Sequence, residues 1–301
     1  MQHPNSHRAV FTPRQLAIPA IFLGVVAIAL SPIWVRLSDL GPTAVAFWRL
    51  ALAIPFLRLW LGVADEPRVL LDRGPRRSLL PLLAPGLFFA GDLLLWHKAI
   101  RLTSVANATF FPNMAPLLVS LVAWRWLGER FNATFALGLA AALAGVALMV
   151  RANAGAGRAT LLGDMLALGT AFFYAGYILS VKQLRRRFGA ATVMLAGALV
   201  GAVGLLIATL LGGEDLLPSS LTGWLILAGL AWFSHAGGQG LIAYALAHLP
   251  ASFSSVSLLL QPVLSALFAW LLLNEGVSML QAAGGVMVLA GIVLARRGSM
   301  G

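Results

Sequence analysis

Hydrophobic residues in this chain are gathered into long runs, and polar residues interrupt them mainly at the ends. Ten runs can be marked, at about 15–36, 42–63, 78–98, 104–127, 132–150, 161–182, 191–211, 221–244, 251–273 and 277–295. Each is near the roughly 20 residues that a helix needs to cross a bilayer. No stretch alternates as a barrel strand does, and lipid cannot pair an open backbone. The pattern therefore predicts an all-α membrane protein with ten transmembrane helices. Gly41-Pro42, Gly212-Gly213-Glu214-Asp215 and Asn274-Glu275-Gly276 read as turns. The run that begins at residue 15 has no small-residue cleavage site after it and reads as a retained helix, not a signal peptide.

The second regularity is a repeat. A shift of 146 residues lays Pro116 on Pro262, Trp124 on Trp270, Glu129 on Glu275, Gly138 on Gly284 and Gly145 on Gly291. Such self-similarity signals two copies of one design. The chain divides into a polar tail at 1–14, a first repeat at 15–151, a Gly/Ala-rich linker at 152–160, a second repeat at 161–297 and a short tail at 298–301. Five helices per half is an odd number, so the second copy enters the membrane from the opposite side. The fold expected is two inverted five-helix repeats around a central cavity, an architecture of secondary transporters.

Composition agrees: 60% of residues are hydrophobic and only 10% charged. The net charge of +11 comes from Arg and Lys at the ends of the runs. They read as topology signals and contacts to anionic lipid, which leaves no case for nucleic acid. With the N-terminus inside, the inner segments hold Arg8 and Arg14, Arg68 to Arg77, Arg125 and Arg130, Lys182 to Arg187, and Arg296 and Arg297. The outer segments hold fewer: Arg36, Lys98, Arg101, Arg151 and Arg158. The positive-inside rule then places both termini in the cytoplasm of a bacterial inner membrane. With no cysteine, disulfides and thiolate chemistry are excluded. No metal-ligating cluster or phosphate-binding loop occurs, so neither a metal nor another cofactor is expected.

Each half carries a Pro in its fourth helix, a Glu at that helix's end and Gly-x6-Gly in its fifth; 44–50 reads Ala-Val-Ala-Phe-Trp-Arg-Leu. This set, spanning about 16–297, resembles the drug/metabolite transporter superfamily, in its branch with two EamA domains. Within that branch it is most similar to the YddG-type exporters of aromatic and other neutral amino acids. The resemblance implies a carrier of small metabolites.

Ionisable residues inside spans are costly and are functional candidates by default. They are Arg49, Asp92, His97, Lys98, Asp164 and His235. Asp92 and Trp96 share a helix face; Asp92 is either an amine ligand or proton carrier, or a structural carboxylate paired with Arg49. Lys98 either snorkels outward or meets a substrate carboxylate. Trp232, His235 and Gln239 form a stripe on the eighth run, and Ser254, Ser257, Gln261 and Ser265 one on the ninth. Asn107 and Phe111 share a face of the fourth run, and Tyr174 and Tyr177 a face of the sixth. For the serines, helix–helix hydrogen bonding is the plain alternative; for the aromatics, packing. Trp34 reads as interfacial belt, and Asp164 as a first-turn carboxylate favoured by the helix dipole. Pro116 and Pro262 read as kinks and Gly138, Gly145, Gly284 and Gly291 as close-packing positions. Glu129 and Glu275 read as caps of the fifth and tenth helices. Positions that differ between the copies, such as Asn107 against Phe253 and Phe111 against Ser257, are expected to choose the cargo.

The function expected is alternating-access export of a small metabolite, best an aromatic or neutral amino acid, by a monomeric carrier in the bilayer. The cavity would be lined by the first, third, fourth, sixth, eighth and ninth runs. Asp92 or His235 would relay protons, unless transport is passive. Another cargo within the superfamily is the nearest alternative. A membrane-embedded enzyme lacks a motif, and a scaffold without a cavity leaves the polar stripes unexplained.

Overall fold

A computed structural model describes residues 13–63, 80–115, 117–119, 122, 132–152, 157–184, 187–248, 258 and 260–299. All regular structure among the described residues is helical. Among the described residues, seven helices are long and apolar enough to cross a membrane, and shorter apolar helices stand at Leu260–Leu273 and Met279–Ala295. These helices fall within apolar runs marked in the sequence. Among the residues singled out in the sequence, Pro116, Trp124, Glu129, Phe253, Ser254 and Ser257 and several of the terminal and loop arginines lie outside the described residues.

The first run is α1 (Pro13–Ala29) followed by α2 (Ser31–Leu37), and the second is α3 (Pro42–Ala51) followed by α4 (Ile54–Val63). Then come α5 (Leu83–Leu102), the short α6 (Val105–Phe110), α7 (Ala133–Ala152), α8 (Arg158–Leu184) and α9 (Ala190–Leu211). The eighth run is α10 (Leu221–Ala228), a π-helical stretch (Gly229–Gln239) and α11 (Gly240–His248). Last are α12 (Leu260–Leu273) and α13 (Met279–Ser299).

The interruptions have local causes. Pro32 removes a donor just past the α1–α2 junction. Two carbonyls beside that break are satisfied from the other half: the hydroxyl of Ser234 donates to Ala27 O at 2.5 Å and that of Ser265 to Ala29 O at 2.9 Å. Pro112 sits at the start of the 3-10 turn (Phe111–Met114) that ends α6.

Helix contacts come in pairs that the repeat exchanges. The third run (α5) packs on the sixth (α8), and the eighth (π stretch and α11) packs on the first (α1). The ninth (α12) touches α2 of the first, and the fourth (α6 and its 3-10 turn) touches the sixth. Three contacts map onto themselves: α3 with α9, α6 with α12, and α7 with α13. The last is the most extensive and is antiparallel. Gly138 lies against Gly291 and Gly145 against Gly284, so close that a methyl group on Gly145 would stand 2.6 Å from Gly284 O, and one on Gly284 would stand 2.7 Å from Gly145 O. Small residues let two backbones approach where lipid offers no hydrophobic drive between helices.

Gly291→Leu should therefore overpack this seam and cost about 1–3 kcal/mol, whereas Gly62→Leu, where nothing lies within 4 Å, should not. Thermal unfolding of the purified protein in detergent checks this; equal melting temperatures for the two variants would refute the seam.

Candidate functional site

Polar and charged side chains concentrate in two places. The first is the end of the bundle that carries residues 38–41, 103–104, 212–220 and 274–278. Two turns there deliver a glutamate across the interface between halves. At the end of α9, Gly213 adopts φ +64° and the Glu214 amide donates back to Thr209 O at 3.3 Å. This is the left-handed turn that glycine favours after a helix. It sends the Glu214 carboxylate to the start of α3, where Thr43 N and Ala44 N both donate to Oε2 at 2.9 Å. At the end of α12, Asn274 takes φ 54°, a conformation that Asn tolerates better than most residues. The next residue, Glu275, accepts from Val105 N at the start of α6 at 2.6 Å and lies 3.6 Å from the Arg36 guanidinium. Both carboxylates thus meet unpaired amides at the positive end of a helix.

This corrects the expected role of Glu275. It does not cap α13. That helix is capped by Ser278 and Gln281: Ser278 N donates to Gln281 Oε1 at 3.0 Å and Gln281 N to Ser278 Oγ at 3.2 Å, a reciprocal capping box.

Further bonds tie the same end. Arg36 donates to Thr103 O at 2.6 Å, Arg101 to Ser38 O at 2.7 Å and Leu40 O at 2.9 Å, and the Trp48 indole to Leu216 O at 2.6 Å. The Ser219 hydroxyl and amide donate to Asp39 and hold its carboxyl below the usual carboxylate range. An open cavity of about 630 Å³ lies here, lined in part by Arg36, Ser104, Thr160 and Glu275.

Beneath it, Asp164 is fully buried and accepts from Thr103 Oγ1 at 2.5 Å and Asn107 Nδ2 at 3.0 Å. Gln281 Nε2 donates to Ser104 Oγ at 3.0 Å. Asp164 stands in the second turn of α8, so side-chain partners, not the helix dipole, hold it. Asn107 belongs to this network and Phe111 to the apolar core, both with no exposed surface. Neither reaches a cavity in this structure, because α6 is pressed between α8 and α12.

The second place is central, where α3, α5, α8 and the π stretch meet. Arg49 lies over the ring of Trp96, 5.3 Å from its centre, and the Trp96 indole donates to Ala108 O at 3.0 Å. Asp92, buried one turn earlier on α5, acts electrostatically on Arg49, Tyr174 and Tyr177. The two do not form the ion pair that the structural alternative for Asp92 called for; among the described residues the ion pair is Arg36–Glu275. Tyr174 and Tyr177 stack at 6.0 Å, Tyr177 stacks on Phe89 at 4.9 Å, and Phe89 stacks on His235 at 5.6 Å. His97 points the other way, its Nδ1 3.1 Å from Pro42 O.

Structure brings together Asp92, Trp96, Tyr174, Tyr177 and His235 and separates the rest. Lys98, six residues from Asp92, sits a third of a turn away on α5. Trp232 is 46% exposed, packs on Phe56 and donates to Leu52 O at 3.0 Å. It leaves the His235 stripe because the π stretch bonds i to i+5, so a spacing of three no longer keeps one face. Gln239, which ends that stretch, and Gln261 on α12 are half-buried. Trp34 is no interfacial residue: its ring lies against Gly229, 3.1 Å from where a Cβ would be. The sequence marks Arg49 as an ionisable candidate inside a span and a partner for Asp92, without a site role of its own, and does not single out Phe89, whose signal is its place one turn before Asp92 on the same face.

Comparison with known proteins fits this architecture. A solved crystal structure superposes with a TM-score of 0.64 at 19% identity, covering 96% of this chain and 97% of that one, and shares the fold. A probable terminal-alkyne amino-acid exporter of Streptantibioticus cattleyicolor is 28% identical over 293 residues, covering 95% of each chain. An uncharacterized transporter of Archaeoglobus fulgidus is 25% identical over 277 residues, covering 86% of this chain and 89% of its own. A pseudopaline exporter of Pseudomonas aeruginosa is 24% identical over 226 residues, covering 75% and 78%. The sequence model of the EamA-like transporter family matches residues 15–151 and again 161–297, so the chain belongs to that family and is a multi-pass membrane transporter.

Proposed function

We propose that this protein exports neutral amino acids, aromatic ones included, across the inner membrane by alternating access. The observation that carries the reading is the central cluster: a buried carboxylate, Asp92, beside a wall of stacked rings, Phe89, Tyr174, Tyr177 and His235. Asp92 takes the substrate ammonium, and the rings take its apolar side chain, aromatic faces favouring both apolar and cationic groups. The amino-acid exporter among the relatives supports the same cargo and direction.

The contact pairs exchanged by the repeat support two inverted halves, and the antiparallel α7–α13 seam supports their opposite orientation. In this reading the Glu214 and Glu275 end is the outer gate, shut here. Cargo is loaded from the cytoplasm, and release outward requires both glutamates to leave their helix ends. Asp92 and His235 remain the groups able to carry a proton with the cargo.

Two measurements test the proposal. The cysteine-free background allows single-cysteine labelling. A cysteine at Leu217 should react with a membrane-impermeant maleimide from outside intact cells, and one at Ser6 only after permeabilisation; the reverse pattern refutes the orientation. Proteoliposomes should show saturable flux of labelled phenylalanine, and Asp92→Asn should lower it at least about tenfold with normal expression, as expected for a charge-assisted contact. Absent flux for every neutral amino acid sinks the substrate, and flux without pH-gradient dependence removes the proton roles.

A further inference from the structure

A buried cation here has donors with nothing to donate to. Arg49 is 4% exposed, and its Nε and Nη1 are sealed from solvent without a hydrogen-bond partner among the described residues. A buried polar group left unpaired costs free energy, and a buried charge costs more. Arg49 is also inside a span, where an ionisable residue must earn its place by pairing or function.

The surroundings specify what is missing. Trp96 covers the face of the guanidinium at 5.3 Å, a contact that uses the π face and leaves the in-plane N–H groups free. The Trp96 ring is itself pinned by its bond to Ala108 O, so the guanidinium rests on a fixed platform. Among the described residues, His97 Nε2 and His235 Nδ1 are likewise buried without a hydrogen-bond partner. Among the described residues Asp92 and Arg49 do not close into an ion pair. A desolvated guanidinium with free in-plane donors, beside but not joined to a carboxylate, is complementary to an anionic oxygen.

We propose that Arg49 is the carboxylate-binding group of the transport site, so that the cargo must carry a free carboxylate. The assignment rests on the central cluster being the transport site, as proposed above. With Asp92 on the ammonium, the two charges of an α-amino acid would be met by two opposite charges that are not joined to each other in an ion pair. Amines without a carboxylate would lose the half of the recognition that Arg49 supplies.

The test uses the purified full-length protein in detergent, its thermal unfolding followed with phenylalanine, with 3-phenylpropionate, which lacks the amine, and with 2-phenylethylamine, which lacks the carboxylate. Phenylalanine and 3-phenylpropionate should stabilise the wild type. Arg49→Gln should weaken the apparent affinity for both by about 100-fold while leaving the response to 2-phenylethylamine unchanged, the range expected for lost hydrogen bonds to a charged group. Arg49→Lys, which keeps the charge but not the fork, should fall between and serves if the Gln variant fails to fold. Without ligand, the Gln variant should melt no lower than the wild type, whereas a purely structural arginine predicts a lower melting temperature. Equal stabilisation of wild type and both variants by 3-phenylpropionate overturns the proposal, as does a wild type that neither carboxylate stabilises. Flux separates the two readings. Absent amino-acid flux with an Arg49-dependent response to 3-phenylpropionate refutes the cargo and keeps the anion site. Normal flux and affinity in Arg49→Gln keeps the cargo and refutes the anion site.

Discussion

Lipid offers no hydrogen bonds, so each polar group that this chain carries into the apolar slab must be answered from within the protein or by its cargo. Most of the structure can be read as the set of answers. The break after α1 frees carbonyls, and two serines from the other half supply hydroxyls to them. Asp164 brings a carboxylate into the interior, and Thr103 and Asn107 surround it. The starts of α3 and α6 expose amides, and Glu214 and Glu275 reach over from left-handed turns. Nearly all of these answers cross between halves, so the polar accounts of one half are settled by the other. That interdependence makes a carrier out of two bundles.

Against this background the unanswered groups stand out. Arg49, His97 and His235 are buried and, among the described residues, retain nitrogens without a hydrogen-bond partner, and all lie at or beside the central cluster. A protein that satisfies an isolated kink with two serines has the means to satisfy an arginine. An arginine without such a partner fits a group whose partner arrives with the cargo, as proposed above, and the Trp96 ring beneath it is held in place by its bond to Ala108 O.

How much of this was legible in the sequence depended on the kind of periodicity involved. The spans announced themselves through run length, and the α7–α13 seam through glycines repeated in one register. Asp92, Trp96, Tyr174 and Tyr177 could be picked out because ordinary helical spacing places them on common faces. Trp232 could not be separated from His235, since the π stretch changes the angular step and nothing in residue type marks where it does so. Glu275 was visible as a turn residue, but its target, Val105, lies 170 residues away in sequence. Asn107 and Phe111 looked like selectivity positions because they differ between copies. A mismatch between repeats also arises when one copy is buried among different neighbours, and that is their situation here.

The α7–α13 seam carries a consequence of its own. Gly138 meets Gly291, and exchanging the copies turns this pair into Gly284 with Gly145, which is the other pair in contact. The surface is therefore self-complementary in the manner of an isologous dimer interface. The glycine-bearing face of either copy is thus complementary to the same face of the other, so the two halves can meet there without any residue peculiar to one of them.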